Sequence, residues 1–438
     1  MKFRDGLTPK MKPVSPRRSA IVAALDVGTS KIVCLIARLK PQGPQDTLRR
    51  RSHGIEILGI GHTEARGMKA GAVINLAEAE QAVRHAVDLA ERDASVQLES
   101  VVLSMSSGRP SSESYAVHVN VAGSGVTDGD MSRALAAGCN HSVRAGRVVL
   151  HSMPIGYSLD GVHGVGEPRG MLAREFGVDM HVVTADVAAA RNLMLVIERC
   201  HLEIETMVAA PYVAGLSAIA DDEADIGAAL IDFGAGTTTM AVFSNGHFTF
   251  ADGFALGGNH ITMDLARGLN ARISDAERIK TFYGSVLAGG SDERDMITVP
   301  AVGEDDREPP QFVSRASLVR IIKPRVEEIL EMVRDRLAAS PFASEPRARA
   351  ILTGGASQLT GLPELAARIL NRPVRIGRPL GMAGLPEAAK GPAFAVASGL
   401  LVYPQAAHLE HFEPRRTRHL MTGTGYIARV GRWLRESF

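Results

Sequence analysis

Two short segments of the chain share a pattern of residue types that suits phosphate and magnesium chemistry. In residues 24–31 and again in residues 230–239, an apolar stretch ends in an aspartate and continues into a turn of glycine and hydroxyl residues. Glycine lets backbone N–H groups approach an anion closely, hydroxyls add donors, and the aspartate supplies an oxygen for hydrated Mg²⁺. Apolar residues resume after each turn. The duplicated pattern predicts two turns that hold one polyphosphate from opposite sides.

A third glycine-rich segment continues this series. Residues 350–361 have the pattern of an apolar strand that runs into glycines and then into the start of a helix. None of the three turns has the Gly-x-x-x-x-Gly-Lys-Ser/Thr or Gly-x-Gly-x-x-Gly spacing of the common nucleotide-binding loops. One such turn alone is equally well explained as a β-hairpin with an Asp-Gly pair. Three of them in order favour a nucleotide site.

The composition is that of an ordinary globular protein of several domains. The chain has 438 residues, 45% of them hydrophobic, and a net charge of +1, which gives no whole-chain electrostatic argument for nucleic-acid binding. Three widely spaced cysteines argue for a reducing compartment rather than for disulfides or a zinc site. No apolar run approaches the ~18 residues of a membrane span. None of the 14 histidines pairs with a second ligand at metal-binding spacing.

Hydrophobic periodicity predicts alternating strands and helices. A helix capped by Asn75 is expected to run to Glu91. From about 106 to 184 the chain has Ser- and Gly-rich turns and alternating apolar segments, which favours a small α+β domain inserted in a larger one. A long helix near 185–199 is expected to return the chain to the host domain.

The last residues of the chain predict an amphipathic helix that lies in a membrane surface. At about 100° per residue, the apolar residues of 425–438 fall on one arc and three arginines fall on the other. A helix docked on the protein's own core is the alternative, but three arginines with one acid, at the end of a polar tether, suit an anionic lipid surface better. The predicted membrane contacts are Tyr426, Ile427, Arg429, Val430, Arg432, Trp433, Leu434, Arg435 and Phe438.

The three turns, in this order, resemble those of the actin-like ATPase superfamily. The matching strings are residues 26–31 and 232–239, as phosphate loops, and residues 353–357, as an adenosine loop. Ala276-Glu-Arg-Ile-Lys280 is similar to that superfamily's Glu-x-x-Lys helix, although by itself it is equally well explained as an ion pair on a helix surface. The resemblance implies an α/β fold of two similar halves that close on Mg-ATP.

The resemblance also implies which residues bind the nucleotide. Asp26 and Asp232 are expected to hold the Mg²⁺ ion through water, and no catalytic residue is assigned. Many relatives place a carboxylate or amide near the proline that precedes the second phosphate loop, whereas here Ala210 precedes Pro211, so we expect slow or absent ATP hydrolysis. The predicted Mg-ATP ligands are Asp26, Gly28, Thr29, Ser30, Lys31, Asp232, Gly234, Gly236, Thr237, Thr238, Gly258, Glu277, Lys280, Gly354, Gly355 and Ser357.

Within the superfamily, the segment between the first two loops resembles the inserted subdomain of the FtsA family of bacterial cell-division proteins. The strings at 151–160, 168–171 and 179–184 carry this resemblance, and 322–329 and the end of the chain resemble the family too. The implied domains are a disordered basic tail (1–19), the first half (20–103 and 185–212), the inserted subdomain (104–184), the second half (213–266 and 345–403) with its smaller subdomain (267–344), a flexible linker (404–424) and the membrane-targeting helix (425–438).

The FtsA resemblance implies a protein that polymerises on the cytoplasmic side of the inner membrane, at the division septum, and tethers FtsZ filaments there. Later division proteins are expected partners, nucleic acid is not, and weak membrane attachment of each copy is strengthened when a polymer links many copies. The subdomain near 267–340 is expected to receive the C-terminal tail of FtsZ. Arg320, Lys323 and Arg325 are candidate contacts, although a solvated helix face explains them equally well.

Two other functions of the same fold stay open from the residues alone. A pilus-assembly relative that binds a membrane protein's cytoplasmic peptide has the same turns, although the strings within 151–184 and the terminal helix weigh against it. A small-molecule kinase needs a base aspartate in a Gly-Asp turn between the halves, and the sequence offers no clear candidate.

Overall fold

The computed structural model describes residues 8–410, apart from 44–47, 49–50, 124, 140–143, 291 and 301–309. The elements before residue 210 are β1 (Ala20–Val27), β2 (Lys31–Pro41), β3 (His53–Glu64), β4 (Met68–Lys69), β5 (Ala72–Val73), α1 (Leu76–Ala94), β6 (Ser100–Met105), β7 (Ser111–Asn120), α2 (Asp128–Cys139), β8 (Arg147–Leu159), β9 (Val162–His163), β10 (Glu175–Asp186), α3 (Val187–Arg199) and β11 (Glu203–Ala209).

The remaining helices and strands belong mainly to a second α/β unit. They are α4 (Ala210–Ala218), α5 (Asp221–Ile226), β12 (Ala228–Phe233), β13 (Thr238–Ser244), β14 (His247–Phe254), α6 (Gly258–Gly268), α7 (Ile273–Tyr283), β15 (Met296–Val299), β16 (Gln311–Ser314), α8 (Arg315–Ala338), β17 (Arg349–Thr353), α9 (Leu362–Leu370), β18 (Val374–Ile376), β19 (Met382–Ala383) and α10 (Ala395–Ala406), with 3-10 turns at Pro341–Ser344, Gly355–Gln358, Glu387–Ala389, Pro392–Phe394 and Ala407–Glu410.

The two main sheets repeat one arrangement of strands. In the first sheet β1, β2 and β3 form an antiparallel meander, and β6 and then β11 continue in parallel beside β1. In the second sheet β12, β13 and β14 form the same meander, and β17 and then β18 continue in parallel beside β12. The two predicted strand–turn–strand segments are therefore equivalent, and the expectation of two similar α/β halves is confirmed.

The predicted helix is confirmed as α1, and Asn75 caps its N-terminus. The Asn75 side chain accepts from the N–H groups of Ala77 and Glu78, and the helix ends where Ser95 takes the left-handed conformation. Its apolar face, which includes Val83 and Ala86, is buried and packs on β3. This helix therefore closes the outer side of the first sheet.

The inserted subdomain extends the sheet of the second half, although its sequence lies within the first half. Its strands β7, β10, β8 and β9 follow β14 in one continuous nine-stranded order. The junction is narrow: Ser111 of β7 pairs with Asp252 of β14, and the Ser112 hydroxyl accepts from the Ala251 N–H at 2.9 Å and donates to the Ala251 carbonyl at 3.2 Å. The subdomain has its own small core around Met131.

Arg147 forms hydrogen bonds with both of the connections that join the first half to the inserted subdomain. Its guanidinium donates to the carbonyl oxygens of Gly108 at 3.1 Å and Arg109 at 2.9 Å on the outgoing crossing. It also donates to the carbonyl oxygen of Thr184 at 2.7 Å on the returning strand. One side chain thus satisfies backbone acceptors of both connections.

The prediction of a disordered tail over 1–19 is wrong for residues 8–19. Thr8 and Met11 are buried, and the Thr8 hydroxyl donates to the carbonyl oxygen of Val149 on β8 at 3.0 Å. The N–H of Val14 donates to the carbonyl oxygen of Pro404 at 3.2 Å. The sequence looked like a tail because its few apolar residues follow no period, but tertiary contacts with the rest of the chain hold it in place.

The prediction of a flexible linker over 404–424 is likewise wrong for residues 404–410. Helix α10 continues to Ala406, and Ala407–Glu410 forms a 3-10 turn that packs against β8. The Glu410 side chain is only 3% exposed because it pairs with His151 and Lys10 inside the fold. The rest of the predicted linker lies outside the described residues.

Helices α4 and α10 pack together between the two sheets, and a glycine sets their distance. A Cβ on Gly399 would lie 1.7 Å from the carbonyl oxygen of Val213. We expect Gly399→Ala to lower the free energy of unfolding by about 1–3 kcal/mol, because the helices must move apart. Gly166→Ala is the control, since its Cβ would meet nothing within 4 Å. Equal urea unfolding curves for the two variants would contradict this packing.

Candidate functional site

The first predicted phosphate loop is a tight reversal between β1 and β2. The N–H of Gly28 donates to the carbonyl oxygen of Lys31 at 3.0 Å, which closes the turn. A Cβ on Gly28 would lie 2.9 Å from that same oxygen, so the position requires glycine. Asp26 is the second-last residue of β1, immediately before this turn.

The second predicted loop repeats this geometry between β12 and β13. The N–H of Gly234 donates to the carbonyl oxygen of Thr237 at 3.0 Å, and Asp232 is the second-last residue of β12. Asp26 and Asp232 are therefore equivalent positions of the two halves. The similarity between the two sequence segments reflects a repeated structure.

The two loops contact each other. A Cβ on Gly236 would lie 2.5 Å from Thr29 Oγ1, so glycine permits this approach. Thr29 Oγ1 also accepts from the N–H of Gly71 at 2.8 Å. The structure thus brings residues that are about two hundred positions apart into one cleft between the halves.

The third loop packs against the base of the second. Gly354 has φ +84°, and a Cβ there would lie 2.6 Å from Asp232 Oδ1. Its N–H donates to the carbonyl oxygen of Pro392 at 3.1 Å. Gly355 begins the following 3-10 turn, in which the buried Ser357 hydroxyl donates to the carbonyl oxygen of Gly354 at 2.7 Å. The hydroxyl of Ser357 is therefore engaged within the fold.

The predicted Glu-x-x-Lys pair lies beside these loops. Lys280 Nζ is 2.6 Å from Glu277 Oε2, and it donates to Thr262 Oγ1 at 2.8 Å and to the carbonyl oxygen of Gly258 at 3.2 Å. The N–H of Gly258 in turn donates to the carbonyl oxygen of Gly234 at 2.9 Å. Lys280 is nearly buried whereas Glu277 is half exposed, so the glutamate is the member of the pair that a ligand can reach.

The remaining predicted hydroxyls differ in their surroundings. Thr238 is fully buried, and its hydroxyl donates to the carbonyl oxygen of Leu256 at 2.8 Å. Ser30 is exposed at the tip of the first loop. Thr237 lines a cavity of about 470 Å³ that extends from the second loop toward the crossings of the inserted subdomain. Sequence reasoning missed this cavity, whose other polar lining residues include Ser107, Arg109, Asp186 and Asn192.

The two loops contribute two carboxylates and one lysine: Asp232 is buried, and Asp26 is partly buried beside Lys31. Burial raises the pKa of Asp26, although the Ser104 hydroxyl donates to its Oδ1 at 2.6 Å. Burial and the nearby Asp26 charge raise the pKa of Asp232 to about 7. Burial also lowers the pKa of Lys31, against the attraction of both carboxylates. A cation at this position would relieve the repulsion between the two aspartates.

Lys31 also connects the two halves across the cleft. Its Nζ donates to the carbonyl oxygen of Ala393 at 2.5 Å and lies 4.0 Å from the centre of the Phe394 ring. These residues belong to the 3-10 turn that receives the N–H of Gly354. The first loop is thus tied to the segment that supports the third.

The chemistry of the site favours a hydrated metal ion over a fully ligated one. Within the described part of the chain, no group of three or more His, Cys, Asp and Glu residues is arranged to hold a metal. Mg²⁺ commonly keeps several waters and takes one or two carboxylates plus substrate phosphates. Two opposed aspartates in a polar cleft fit that mode.

The candidate FtsZ contacts on α8 are engaged with neighbouring side chains. Arg325 Nε is 2.6 Å from Asp264 Oδ2, Arg320 donates to the Ser317 hydroxyl at 2.7 Å, and Lys323 is 3.6 Å from Glu327.

A different surface of the same subdomain offers a recess of about 260 Å³, lined by α7 and β15, that includes Arg278, Tyr283 and Met296. Exposed Phe282 and Phe312 lie on the adjoining elements.

The predicted membrane residues, Tyr426 to Phe438, lie outside the described residues. Across the residues that the structure does describe, no helix combines the length and apolarity needed to cross a bilayer.

Comparison with known families matches two segments of the chain. A family model described as "Cell division protein FtsA" matches residues 229–399, and one described as "SHS2 domain inserted in FTSA" matches residues 107–184. The chain is 50% identical over 437 residues to the cell division protein FtsA of Agrobacterium fabrum, covering 98% of both chains. It is 30% identical over 425 residues to FtsA of Escherichia coli K12, covering 95% of this chain and 98% of that protein.

Solved structures share the fold at low identity. The PilM–PilN type IV pilus biogenesis complex matches with a TM-score of 0.59 and 18% identity, covering 88% of this chain and 98% of that one. MreB5 of Spiroplasma citri bound to ADP matches with a TM-score of 0.54 and 14% identity, covering 90% and 98%. These similarities confirm the predicted actin-like architecture.

Proposed function

This chain belongs to the family of the cell division protein FtsA, and from that premise we propose that it binds Mg-ATP between its halves and tethers FtsZ filaments to the inner face of the cytoplasmic membrane. The observation that carries the nucleotide part is the contact between two equivalent loops, each with an aspartate whose pKa burial raises. Polymerisation and recruitment of later division proteins at the septum complete the proposal.

The residues of the cleft fit Mg-ATP in kind and position. Asp26 and Asp232 would hold the hydrated ion, Lys31 and the backbone N–H groups of both loops would hold phosphate oxygens, and Glu277 would reach the adenosine. Bound Mg-ATP supplies a cation that neutralises the two carboxylates and a triphosphate that spans both loops. The excess of buried negative charge supports this assignment, because it is costly in the absence of a cation.

We propose that ATP turnover is slow or absent. Helix α4 begins at Ala210 and follows Ala209, and neither residue carries a side chain that could orient a water molecule. Nucleotide would then act mainly by holding the two halves together, which favours contacts between copies of the chain.

The FtsZ tail is proposed to bind the subdomain formed by α7, β15, β16 and α8. The recess beside Arg278 offers an exposed guanidinium, held only loosely by Asp275 at 3.5 Å, and apolar surface from Tyr283 and Met296, which suits an acid-bearing peptide with apolar anchors. The engaged state of Arg325 makes it the weakest of the three contacts named from the sequence.

The exposed apolar residues of the inserted subdomain are proposed as contacts for further partners or for a second copy. Val162, Met171 and Leu172 are 66%, 45% and 77% exposed. Exposed apolar groups of this kind mark interaction surfaces when they cluster.

The membrane part of the proposal is tested by vesicle flotation with Mg-ATP and FtsZ filaments. Filaments pellet alone, so they float only when the chain links them to anionic vesicles. We expect the intact chain to float them, and a chain ending at residue 424 to bind vesicles at least tenfold more weakly, because the apolar arc of 425–438 is lost.

A matched pair of substitutions distinguishes the effect of disrupting the apolar arc from the effect of adding a negative charge. Trp433→Glu places an acid on the apolar arc, and Ala428→Glu places the same charge on the polar arc. Only the first should prevent flotation. Equal vesicle binding by the intact and shortened chains would overturn the anchoring proposal.

A further inference from the structure

The segment of residues 8–18 is fixed to residues 404–410, the last described residues, which precede the proposed membrane helix in the sequence. We call it the N-terminal segment. Lys10 forms an ion pair with Glu410, the last described residue before the tether. The N–H of Val14 donates to the carbonyl oxygen of Pro404 in α10 at 3.2 Å. The N-terminal segment and residues 404–410, which we call the tether root, are therefore packed together.

The N-terminal segment exposes several cations and no acid. Lys12, Arg17 and Arg18 are exposed, and none of them forms an ion pair with a described residue. Lys10 differs because Glu410 neutralises it. The exposed surface of this segment therefore carries uncompensated positive charge.

The chain on either side continues the same sign of charge. Residues 411–424, the tether, contain Arg415, Arg416 and Arg418 against the single acid Glu413. Lys2 and Arg4, with one acid, precede the N-terminal segment in sequence. Such basic groups beside a membrane helix are attracted to anionic headgroups.

The proposed membrane helix alone does not fix the distance between the folded body and the bilayer. The tether of about 14 residues can extend ~50 Å, far beyond the ~8 Å over which charges act at physiological salt. A basic surface at the tether root would hold the folded body close to the bilayer, because this part of the body is joined most directly to the proposed membrane helix.

We propose that Lys12, Arg17 and Arg18 contact anionic lipid headgroups and hold the tether-root face of the body against the membrane. This inference rests on the proposed function of the terminal helix. An anionic lipid surface, rather than an acidic protein, is the partner we infer, because the segment is fastened to Glu410, from which residues 411–424 lead to the proposed membrane helix.

The test compares the intact chain with the triple variant Lys12→Glu, Arg17→Glu, Arg18→Glu. Binding is measured by flotation with vesicles of phosphatidylglycerol and phosphatidylcholine, with Mg-ATP present. Since each basic residue near an anionic surface strengthens binding about fivefold, we expect the variant to bind at least roughly tenfold more weakly, with a shallower dependence on salt.

A control variant carries the same charge change elsewhere. Arg294→Glu, Arg347→Glu, Arg368→Glu reverses three exposed arginines of the second half, and it should bind vesicles within twofold of the intact chain. Thermal unfolding of both variants checks that each folds.

The possible results distinguish this inference from the anchoring proposal. If removal of 425–438 abolishes binding while the triple variant binds like its control, the headgroup contact is overturned and the helix anchor stands. If the triple variant binds vesicles as its control does but no longer floats FtsZ filaments, its basic residues contact protein and the headgroup contact is likewise overturned. If removal of 425–438 changes nothing, the anchor itself fails.

Discussion

Substitution of Asp232 by asparagine should raise the stability of the nucleotide-free protein at pH 8 and, in the same variant, remove most of the stabilisation that Mg-ATP confers. Burial and the Asp26 charge raise the pKa of Asp232 from 3.8 to about 7, so its ionised form costs about 4 kcal/mol when no cation is bound. An amide avoids that cost. It also loses the charge that holds the hydrated metal, and we expect about 100-fold weaker Mg-ATP binding.

The raised pKa of Asp232 determines how the stability gain of Asp232→Asn changes with pH. Because the folded pKa of Asp232 is raised, the native state holds a proton that the unfolded state has released between pH 3.8 and about 7, and stability falls as pH rises through that window. The gain from Asp232→Asn should therefore be absent near pH 4 and complete above pH 7. Thermal unfolding across pH, with and without Mg-ATP, measures both effects.

Asp335→Asn is the control for this variant. Asp335 lies exposed on α8, so its substitution should change neither stability nor the response to Mg-ATP. If Asp232→Asn retained the full stabilisation by Mg-ATP, the assignment of this carboxylate to the metal would be wrong.

Substitution of Glu410 by alanine should be the most destabilising single change near the ends of the folded body. Glu410 Oε1 lies 2.7 Å from His151 Nδ1 and accepts from the Tyr403 hydroxyl at 2.8 Å, and the other oxygen pairs with Lys10. Although burial opposes ionisation, Lys10 and His151 hold the pKa of the Glu410 carboxyl far below its usual range. Alanine would leave the buried Tyr403 hydroxyl and His151 Nδ1 without their acceptor and would remove the ion pair of Lys10, at a cost of about 3–5 kcal/mol.

Two further variants sharpen this prediction. Glu410→Gln keeps the volume and an acceptor for Tyr403, so its loss of stability should be smaller than that of alanine. Glu387→Ala breaks an exposed pair with Lys390 and should cost less than about 1 kcal/mol. Chemical unfolding measures all three. A Glu410→Ala protein as stable as Glu387→Ala would show that the cluster is not formed.

The local structure of the proposed nucleotide site could be predicted from the sequence because each loop is specified by neighbouring residues. Asp26 with Gly28, and Asp232 with Gly234, fix their turns within a few positions, and the cap at Asn75 does the same for α1. That the two loops lie on opposite sides of one site was inferred only from the duplication and the resemblance. The direct contact between Thr29 and Gly236 was not predicted, since no local rule places together residues so far apart in sequence.

The features that the sequence did not predict depend on distant partners. Lys10 and Glu410 are 400 positions apart, and each looks like a solvated charge in its own segment. The cavity beside Thr237 is lined by residues of both halves and of the connections to the inserted subdomain, so no single motif marks it. The pairing of β7 with β14 involves Ser111 and Asp252, whose types carry no signal for strand partnership.

The narrow junction between β7 and β14 has a mechanical consequence. The inserted subdomain is connected through the chain to the first half, where Arg147 forms hydrogen bonds with both connections. It is joined to the sheet of the second half by the Ser111–Asp252 pair and the Ser112 hydroxyl. Phe248 of β14 also packs edge-on against His181 of β10. Any rotation of one half relative to the other must therefore either swing the subdomain as a lever arm or strain these bonds and ring contacts. A small change of angle at the cleft is amplified into a larger displacement at the far edge of the subdomain, around β9.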